Sequence, residues 1–240
     1  MSYTVIAYNI YKVGQSSPYP KEAAVSTVID LGFAEGDVAD CVMLCEVHSA
    51  RGEDISDFLV ACYEKLQQKS VHFVHGGKSN NYLISAKRGR FENCPQKKDV
   101  RRMGIWVAQD NPLAGVGFLH AKSGQIDGRT DAQIAFYCQY LESAFNGRWC
   151  LCGDMNWDTK QKGEIHGLPD GAWYFYPWGE SDTHTSIGGG TSRLDYFIAG
   201  SKCRLACNRR FNQDVSRIPE IMNMAFVDHL PIAANVTFAD

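Results

Sequence analysis

The sequence predicts a mixed α/β fold in one domain spanning residues 1–240. Three observations lead to it. The length of 240 residues fits one large domain, and 45% hydrophobic residues with a mean hydropathy of -0.27 indicate a sizeable core in a water-soluble chain. Apolar runs of strand length and segments with helical spacing follow one another without a strict β-α-β order. No internal repeat, low-complexity tract or linker divides the chain.

Short apolar runs predict the strands, because such runs suit buried positions in a sheet. Gly104–Ala108 and Ala114–Leu119 are expected to pair around Asn111-Pro112. In chain order the predicted strands are Thr4–Ile10, Ala39–Val47, Val71–Val74, Tyr82–Ser85, Gly104–Ala108, Ala114–Leu119, Arg148–Cys152, Ala172–Tyr176, Leu194–Ile198, Cys203–Cys207 and Ile232–Phe238.

Apolar residues at helical spacing predict helices over Lys21–Leu31 and Ile55–Leu66, and a third that ends near Phe145. Asp127 or Thr130 would cap the third helix. Three further segments read as turns or loops. They are a basic turn at residues 87–90, a Ser-, Thr- and Gly-rich loop at 179–192, and a long loop at 208–225.

Charge and cysteine content narrow the function classes. The formal net charge of -3 argues against tight nucleic-acid binding through bulk charge, but it leaves room for a local basic groove or a metal-assisted phosphate site. The nine cysteines are odd in number and mostly lie in apolar runs, so we expect buried free thiols and a reducing compartment. No apolar run is long enough to span a membrane, which takes about 18 residues.

The first residues contain neither a basic segment nor a long apolar one, so no secretory signal is visible. We therefore expect a protein that is cytoplasmic as made, with delivery into a target cell as the alternative.

Polar side chains recur where the predicted strands end. Ligands collect at such an edge of a sheet. Carboxylates and histidines without cysteine suit Mg²⁺ or Mn²⁺ better than zinc. Asp195 is placed to orient the His229 imidazole. The residues in this pattern are Asn9, Glu46, His120, Asp154, Asn156, Asp195, Asp228 and His229.

Six short motifs follow one another along the chain: Asn9, Cys45-Glu46, His120, Gly153-Asp154-Met155-Asn156, Arg193-Leu194-Asp195-Tyr196 and Asp228-His229-Leu230-Pro231. In this order they resemble the motifs of the endonuclease/exonuclease/phosphatase superfamily, whose fold is like that of deoxyribonuclease I. The resemblance implies a four-layered α/β/β/α sandwich with two mixed sheets and helices outside.

The segment around His120 is most similar to the catalytic subunit of cytolethal distending toxins. Asn80 or Asn81 falls where an acidic partner of that histidine is expected.

The resemblance also implies roles for individual residues. Glu46 would bind Mg²⁺, or Mn²⁺ or Ca²⁺ in its place, with Asn9 and Asp228 close by. His229, oriented by Asp195, would be the general base or polarise the phosphate.

Asp154 would orient or deprotonate the attacking water, and Asn156 would bind that water or a phosphate oxygen. His120 would act on the leaving side. Arg102 and Arg193, which flank the predicted edge, are candidate phosphate contacts.

The resulting hypothesis is a Mg²⁺-dependent DNA endonuclease of toxin or effector type. Relatives of that type imply a delivery or immunity protein as a partner, which the sequence does not identify. A phosphatase acting on phosphoinositides or another phosphorylated small molecule is the first alternative, since the same chemistry serves both. A non-catalytic binding module of the same fold is the second.

Overall fold

The computed structural model describes residues 1–10, 26–28, 30–31, 39–47, 70–74, 81–94, 103–122, 129–186, 189–222 and 228–239. The helix predicted over Ile55–Leu66 lies outside these residues. The described part of the helix predicted over Lys21–Leu31, residues 26–28 and 30–31, is helical.

Strands make up most of the regular structure. They are β1 Ser2–Asn9, β2 Cys41–Val47, β3 Ser70–Val74, β4 Asn81–Ala86, β5 Arg90–Asn93, β6 Met103–Val107, β7 Gly115–His120, β8 Trp149–Asp154, β9 Trp173–Phe175, β10 His184–Thr185, β11 Thr191–Ser192, β12 Asp195–Ala199, β13 Cys203–Cys207 and β14 Ile232–Phe238. The helices with defined bounds are α1 Arg129–Phe145, α2 Thr159–Lys162, α3 Arg209–Val215 and α4 Pro219–Met222.

Two six-stranded sheets carry the fold, in the orders β13-β14-β1-β2-β4-β3 and β5-β6-β7-β8-β12-β9. Each sheet is mixed. β1 and β2 run parallel in the first, as do β7 and β8 in the second, while the other pairs are antiparallel. A ribbon of two short strands, β10 and β11, stands apart from both sheets.

The sheets pack face to face because alternate side chains of each strand point to opposite faces. In β1, Val5 and Ala7 belong to the inner core between the sheets, whereas Ile6 and Tyr8 belong to a second core on the outer face. β8 follows the same rule in the other sheet, with its two cysteines inside and Leu151 outside. The predicted buried strands are thus buried on both faces.

Helices cover both outer faces. α3 buries Phe211 and Val215 against the first sheet, and α1 buries residues such as Ile134 and Leu141 against the second. The four-layered α/β/β/α sandwich is therefore confirmed. Within the described residues, no helix has the length and apolar character needed to cross a membrane.

Three local predictions were wrong. The predicted loop 179–192 contains the ribbon of β10 and β11, and the predicted loop 208–225 contains α3 and α4. Thr130 is not a cap: it lies inside α1 and its hydroxyl donates to the Lys122 carbonyl. Asp127, the other candidate cap, lies outside the described residues. Asn208 caps α3, which the sequence pattern did not indicate.

Gly153 lets β8 pass close to β7 just before the polar residues begin. Its φ is +129°, and an added Cβ would lie 2.2 Å from the Leu119 carbonyl oxygen. Gly163 also has a positive φ, +80°, but no heavy atom lies within 4 Å of the Cβ position. A substitution at Gly153 would therefore cause both backbone strain and a steric clash, whereas one at Gly163 would cause backbone strain alone.

We predict that Gly153→Ala lowers the free energy of unfolding by about 2–5 kcal/mol, since backbone strain adds to overpacking. Gly163→Ala, the matched control, should cost less, about 1–3 kcal/mol, because the backbone strain acts alone. Urea unfolding followed by circular dichroism measures both. Equal losses in the two variants would contradict the close approach at Gly153.

Candidate active site

The parallel pairs bring polar side chains from both sheets to one end of the sandwich. Asn9 is the last residue of β1, and Glu46 is the second-last residue of the neighbouring β2. His120 and Asp154 are the last residues of β7 and β8. His120 stands directly opposite Asp154 in the parallel register, and Asp195 stands opposite Asp154 in the antiparallel one. The register thus places these side chains side by side, as the strand-end pattern predicted.

The Asp154 carboxylate is the centre of this cluster. Its Oδ2 accepts a hydrogen bond from Asn9 Nδ2 at 2.9 Å and lies 3.5 Å from His120 Nε2 and 3.6 Å from His229 Nε2. Its Oδ1 accepts from the Asn156 backbone N–H at 2.9 Å. The side chain is only 2% exposed. One buried carboxylate therefore joins two imidazoles.

His229 and Asp195 form a buried ion pair, with Nδ1 and Oδ2 2.8 Å apart. Burial opposes a charge on His229, but the carboxylates of Asp195 and Asp154 outweigh it and raise the pKa of His229 to about 10. Burial raises the pKa of Asp195 to about 6, although the charge of His229 acts against it. Between these values the imidazolium and the carboxylate coexist. The bond also fixes the ring, as predicted.

The ribbon of β10 and β11 supports this pair. The Thr183 hydroxyl oxygen accepts the backbone N–H groups of Leu194 and Asp195, at 3.1 and 2.9 Å. The same hydroxyl donates a hydrogen bond to the Asp195 carboxylate. The Thr183 carbonyl accepts from Leu230 N–H at 2.8 Å. Thr183, which precedes β10 and is absent from the predicted site, thereby connects Asp195 to Leu230, the residue after His229.

Glu46 projects from a strained position. Its φ is +57°, and the register of β2 against β4 shifts between Cys45 and Val47. Its Oε1 lies 3.4 Å from both Asn9 Nδ2 and His120 Nε2. Its Oε2 is buried and has no hydrogen-bond partner among the described residues. A buried carboxylate oxygen without a donor is costly unless something else binds it.

The residues around Glu46 fit a hard divalent cation. Glu46, His120 and Asp154 each offer a ligand atom, all within 4.8 Å of one another. Asn9 uses its amide nitrogen toward both carboxylates. Its amide oxygen is of the type that Mg²⁺ and Ca²⁺ accept. Asp228, predicted to stand near Glu46, is instead grouped with His184 and His229.

His120 is held through its backbone. Its N–H donates to the Tyr82 hydroxyl at 3.0 Å, and that hydroxyl lies 3.3 Å from its carbonyl oxygen. Tyr82 comes from β4, close to the place where an acidic partner was expected. The His120 ring itself contacts Glu46 and Asp154.

Asn156 and Arg193 differ in how they are used. Asn156 has a φ of +49° and donates its Nδ2 to the Ala121 carbonyl at 2.8 Å, which fixes the amide near Asp154. Arg193 is 7% exposed, and its guanidinium carbon lies 3.7 Å from the Tyr176 ring centroid. Its remaining contacts are with Thr159 and the 179–180 turn. The Arg193 guanidinium is therefore bound to residues outside the cluster. Arg102, the other predicted phosphate contact, lies outside the described residues.

His184, which is not among the predicted site residues, also lies beside the cluster. Its ring centroid lies 4.6 Å from that of His229, and its Nε2 lies 4.0 Å from Asp228 Oδ2. Burial and the charge of His229 lower the pKa of His184. No spacing signal could have found it, because β10 has only two residues and lies in a segment of loop-like composition.

Comparisons with known proteins come from structure. No protein-family model matches the chain, and no curated protein matches it. Solved structures do match. TDP2 from D. rerio, complexed with single strand DNA product, is 13% identical, with a TM-score of 0.66 and 98% and 99% of the two chains covered.

An endonuclease/exonuclease/phosphatase family protein from Bacteroides thetaiotaomicron is 15% identical, with a TM-score of 0.64, covering 100% of this chain and 99% of that one. The 3'-5' exonuclease NExo from Neisseria meningitidis is 15% identical, with a TM-score of 0.61, covering 99% and 100%. The fold is shared. At this identity the likeness establishes the fold, and the function has to be argued from the residues of the site.

The ion pair predicts a pH dependence of stability in metal-free protein. The pKa of His229 is higher in the folded chain than its ordinary value of 6.5. Its contribution to stability is therefore complete below about pH 6.5 and is lost as the pH rises toward 10. We predict that the free energy of unfolding falls between pH 7 and 9 more steeply than in His229→Gln, by at most about 1.4 kcal/mol per pH unit.

Urea unfolding of both proteins in EDTA measures the difference. The variant serves as the control, because it keeps every other group that titrates in this range. Parallel curves for the two proteins would contradict the raised pKa of His229.

Proposed function

We propose that the protein is a metal-dependent phosphoester hydrolase. The observation that carries this proposal is the Asp154 carboxylate, buried between two imidazoles and beside the Glu46 carboxylate. Phosphoester hydrolysis needs a group that orients water, donors for the developing charge and a proton for the leaving group. The cluster offers candidates for all three. The shared fold with a nuclease and with a DNA-bound enzyme supports the same class.

Mg²⁺ is the proposed ion, with Mn²⁺ or Ca²⁺ as substitutes. Glu46 and Asp154 would hold it, with Asn9 close by, and the unpartnered Glu46 Oε2 supports this placement. A bound divalent cation would polarise the phosphate and offset its negative charge. We propose that Asp228 acts from the His229 side rather than beside Glu46.

The remaining groups divide the proton chemistry. Asp154 orients the attacking water and accepts its proton. His229 is protonated at neutral pH because of its raised pKa, so it donates to a phosphate oxygen rather than acting as the base. Asn156, whose amide is fixed by the Ala121 carbonyl and whose backbone N–H bonds Asp154, contacts the water or the phosphate. His120, on the other side of Asp154, serves the leaving oxygen.

DNA is the proposed substrate, cleaved at internal phosphodiester bonds. The DNA product in the TDP2 structure and the exonuclease activity named for NExo support a nucleic-acid substrate. The toxin or effector type rests on the sequence resemblance around His120, and with it the proposal of a delivery or immunity protein as partner. Hydrolysis of a phosphomonoester is the competing activity, since the same groups would serve it.

We predict that purified protein nicks supercoiled plasmid with Mg²⁺ but not with EDTA, and that Glu46→Gln lowers the rate by at least about 100-fold, as loss of an ion ligand should. Glu164 is an exposed carboxylate away from the cluster, so Glu164→Gln is the matched control and should cut like the wild type. Equal nicking by the Glu46 and Glu164 variants would contradict the proposed ion site.

A second prediction concerns the two histidines. His120→Gln and His229→Gln should each lower the nicking rate about 10²–10⁴-fold, because each removes a positioned proton donor. Phosphate release from phosphoinositides or from a 3'-phosphorylated oligonucleotide is measured in parallel. Phosphate release without any nicking would move the function to the phosphatase alternative, and unchanged nicking in either variant would contradict its role.

A further inference from the structure

The backbone around His184 is hydrogen-bonded to the residues on either side of His229. Thr185 N–H donates to the Asp228 carbonyl at 2.9 Å, and Leu230 N–H donates to the Thr183 carbonyl at 2.8 Å. His184 and His229 thus face each other across an antiparallel bridge. Their separation is set by the backbone, so the contact of the two rings is built into the fold.

The two nitrogens of the His184 ring have different surroundings. Nδ1 lies 3.1 Å from the Ser192 hydroxyl of β11, the directly opposite residue in the ribbon. Nε2 lies 4.0 Å from Asp228 Oδ2, which is beyond hydrogen-bond distance. If the Ser192 hydroxyl donates to Nδ1, the ring carries its proton on Nε2. Nε2–H is then a fixed donor beside Asp228.

Exposure places His184 at the open end of the cluster. The side chains of His184 and Asp228 are each 18% exposed, compared with 5% for His229 and 2% for Asp154. The side chains form a row from the buried centre outward. His229 Nε2 lies 3.6 Å from Asp154 Oδ2 and 3.9 Å from Asp228 Oδ1, and His184 Nε2 lies next, 4.0 Å from Asp228 Oδ2. A substrate whose phosphate lies at Asp154 would extend past His184 on that side.

We propose that His184 is a further substrate-contacting residue, whose Nε2–H donates a hydrogen bond to an oxygen of the substrate next to the phosphate under attack. This inference rests on the proposed function, because it needs a phosphoester held at Asp154. The contact recognises a group that flanks the phosphate, such as a neighbouring phosphate or sugar oxygen. A substrate without that group gains nothing from it.

The test compares two substrates that differ in flanking groups, a DNA oligonucleotide and bis(p-nitrophenyl) phosphate, both with Mg²⁺. His184→Leu fills similar space with an apolar side chain and removes the hydrogen-bond donor. We expect it to raise KM or lower kcat/KM for DNA about 10- to 100-fold, the range for one hydrogen bond to a charged group. Turnover of the small diester should change less than about threefold.

Two further variants separate donation from packing. His184→Gln places an amide Nε2 at a similar reach and should restore most of the activity on DNA. Ser192→Ala removes the partner of Nδ1 and should give an intermediate loss. His166 is an exposed histidine, so His166→Leu is the matched control for loss of an imidazole. Thermal unfolding of every variant verifies that the fold is kept.

Several results would overturn the inference. His184→Leu could cut DNA like the wild type, or His184→Gln could be as impaired as His184→Leu. Equal losses on both substrates would place the contact at the attacked phosphate itself. A higher Mg²⁺ requirement in His184→Leu would make the residue an ion ligand instead. A wild-type protein that hydrolyses neither substrate would refute the proposed phosphodiester hydrolysis, and this inference with it.

Discussion

Burial of the Asp154 carboxylate between two imidazoles is the constraint on which the site depends. A carboxylate that is 2% exposed needs donors, and it receives hydrogen bonds from Asn9 and the Asn156 backbone, with the two imidazoles 3.5 and 3.6 Å away. Each donor comes from a different strand end or loop. The two sheets must therefore keep their relative position for the carboxylate to remain satisfied, which couples the packing of the sandwich to the geometry of the site.

Backbone strain is concentrated at the same place. Within the described chain, three residues other than glycine have a positive φ, and two of them are Glu46 and Asn156. Gly153, next to Asp154, has a φ of +129°. For the two residues that carry a Cβ, such a conformation costs stability and persists where the surroundings enforce it. Here it brings the Glu46 carboxylate to Asn9 and His120, and the Asn156 backbone N–H to the Asp154 carboxylate.

Most strands could be predicted from the sequence, because buried strands leave a continuous apolar signal and the polar residues mark where it stops, whereas the four layers followed from the family resemblance. Asn9, His120 and Asp154 were found this way. Thr183 and His184 could not be found, since a two-residue strand has no periodicity and its segment has the composition of a loop. Arg193 shows the opposite failure: a charged residue near the motif suggested phosphate binding, whereas stacking on Tyr176 occupies it.

The charges of the site also explain why the two ends of the cluster differ. At the His229 end, an imidazolium with a raised pKa balances Asp195, so under the proposed function a phosphate oxygen there would meet a donor that is charged at neutral pH. At the Glu46 end, Oε2 is buried without a donor in the described residues, and no lysine or arginine is paired with it there. A divalent cation would supply the missing positive charge. The phosphate would then lie between a fixed protein cation and a bound metal ion, with Asp154 between them to hold the water.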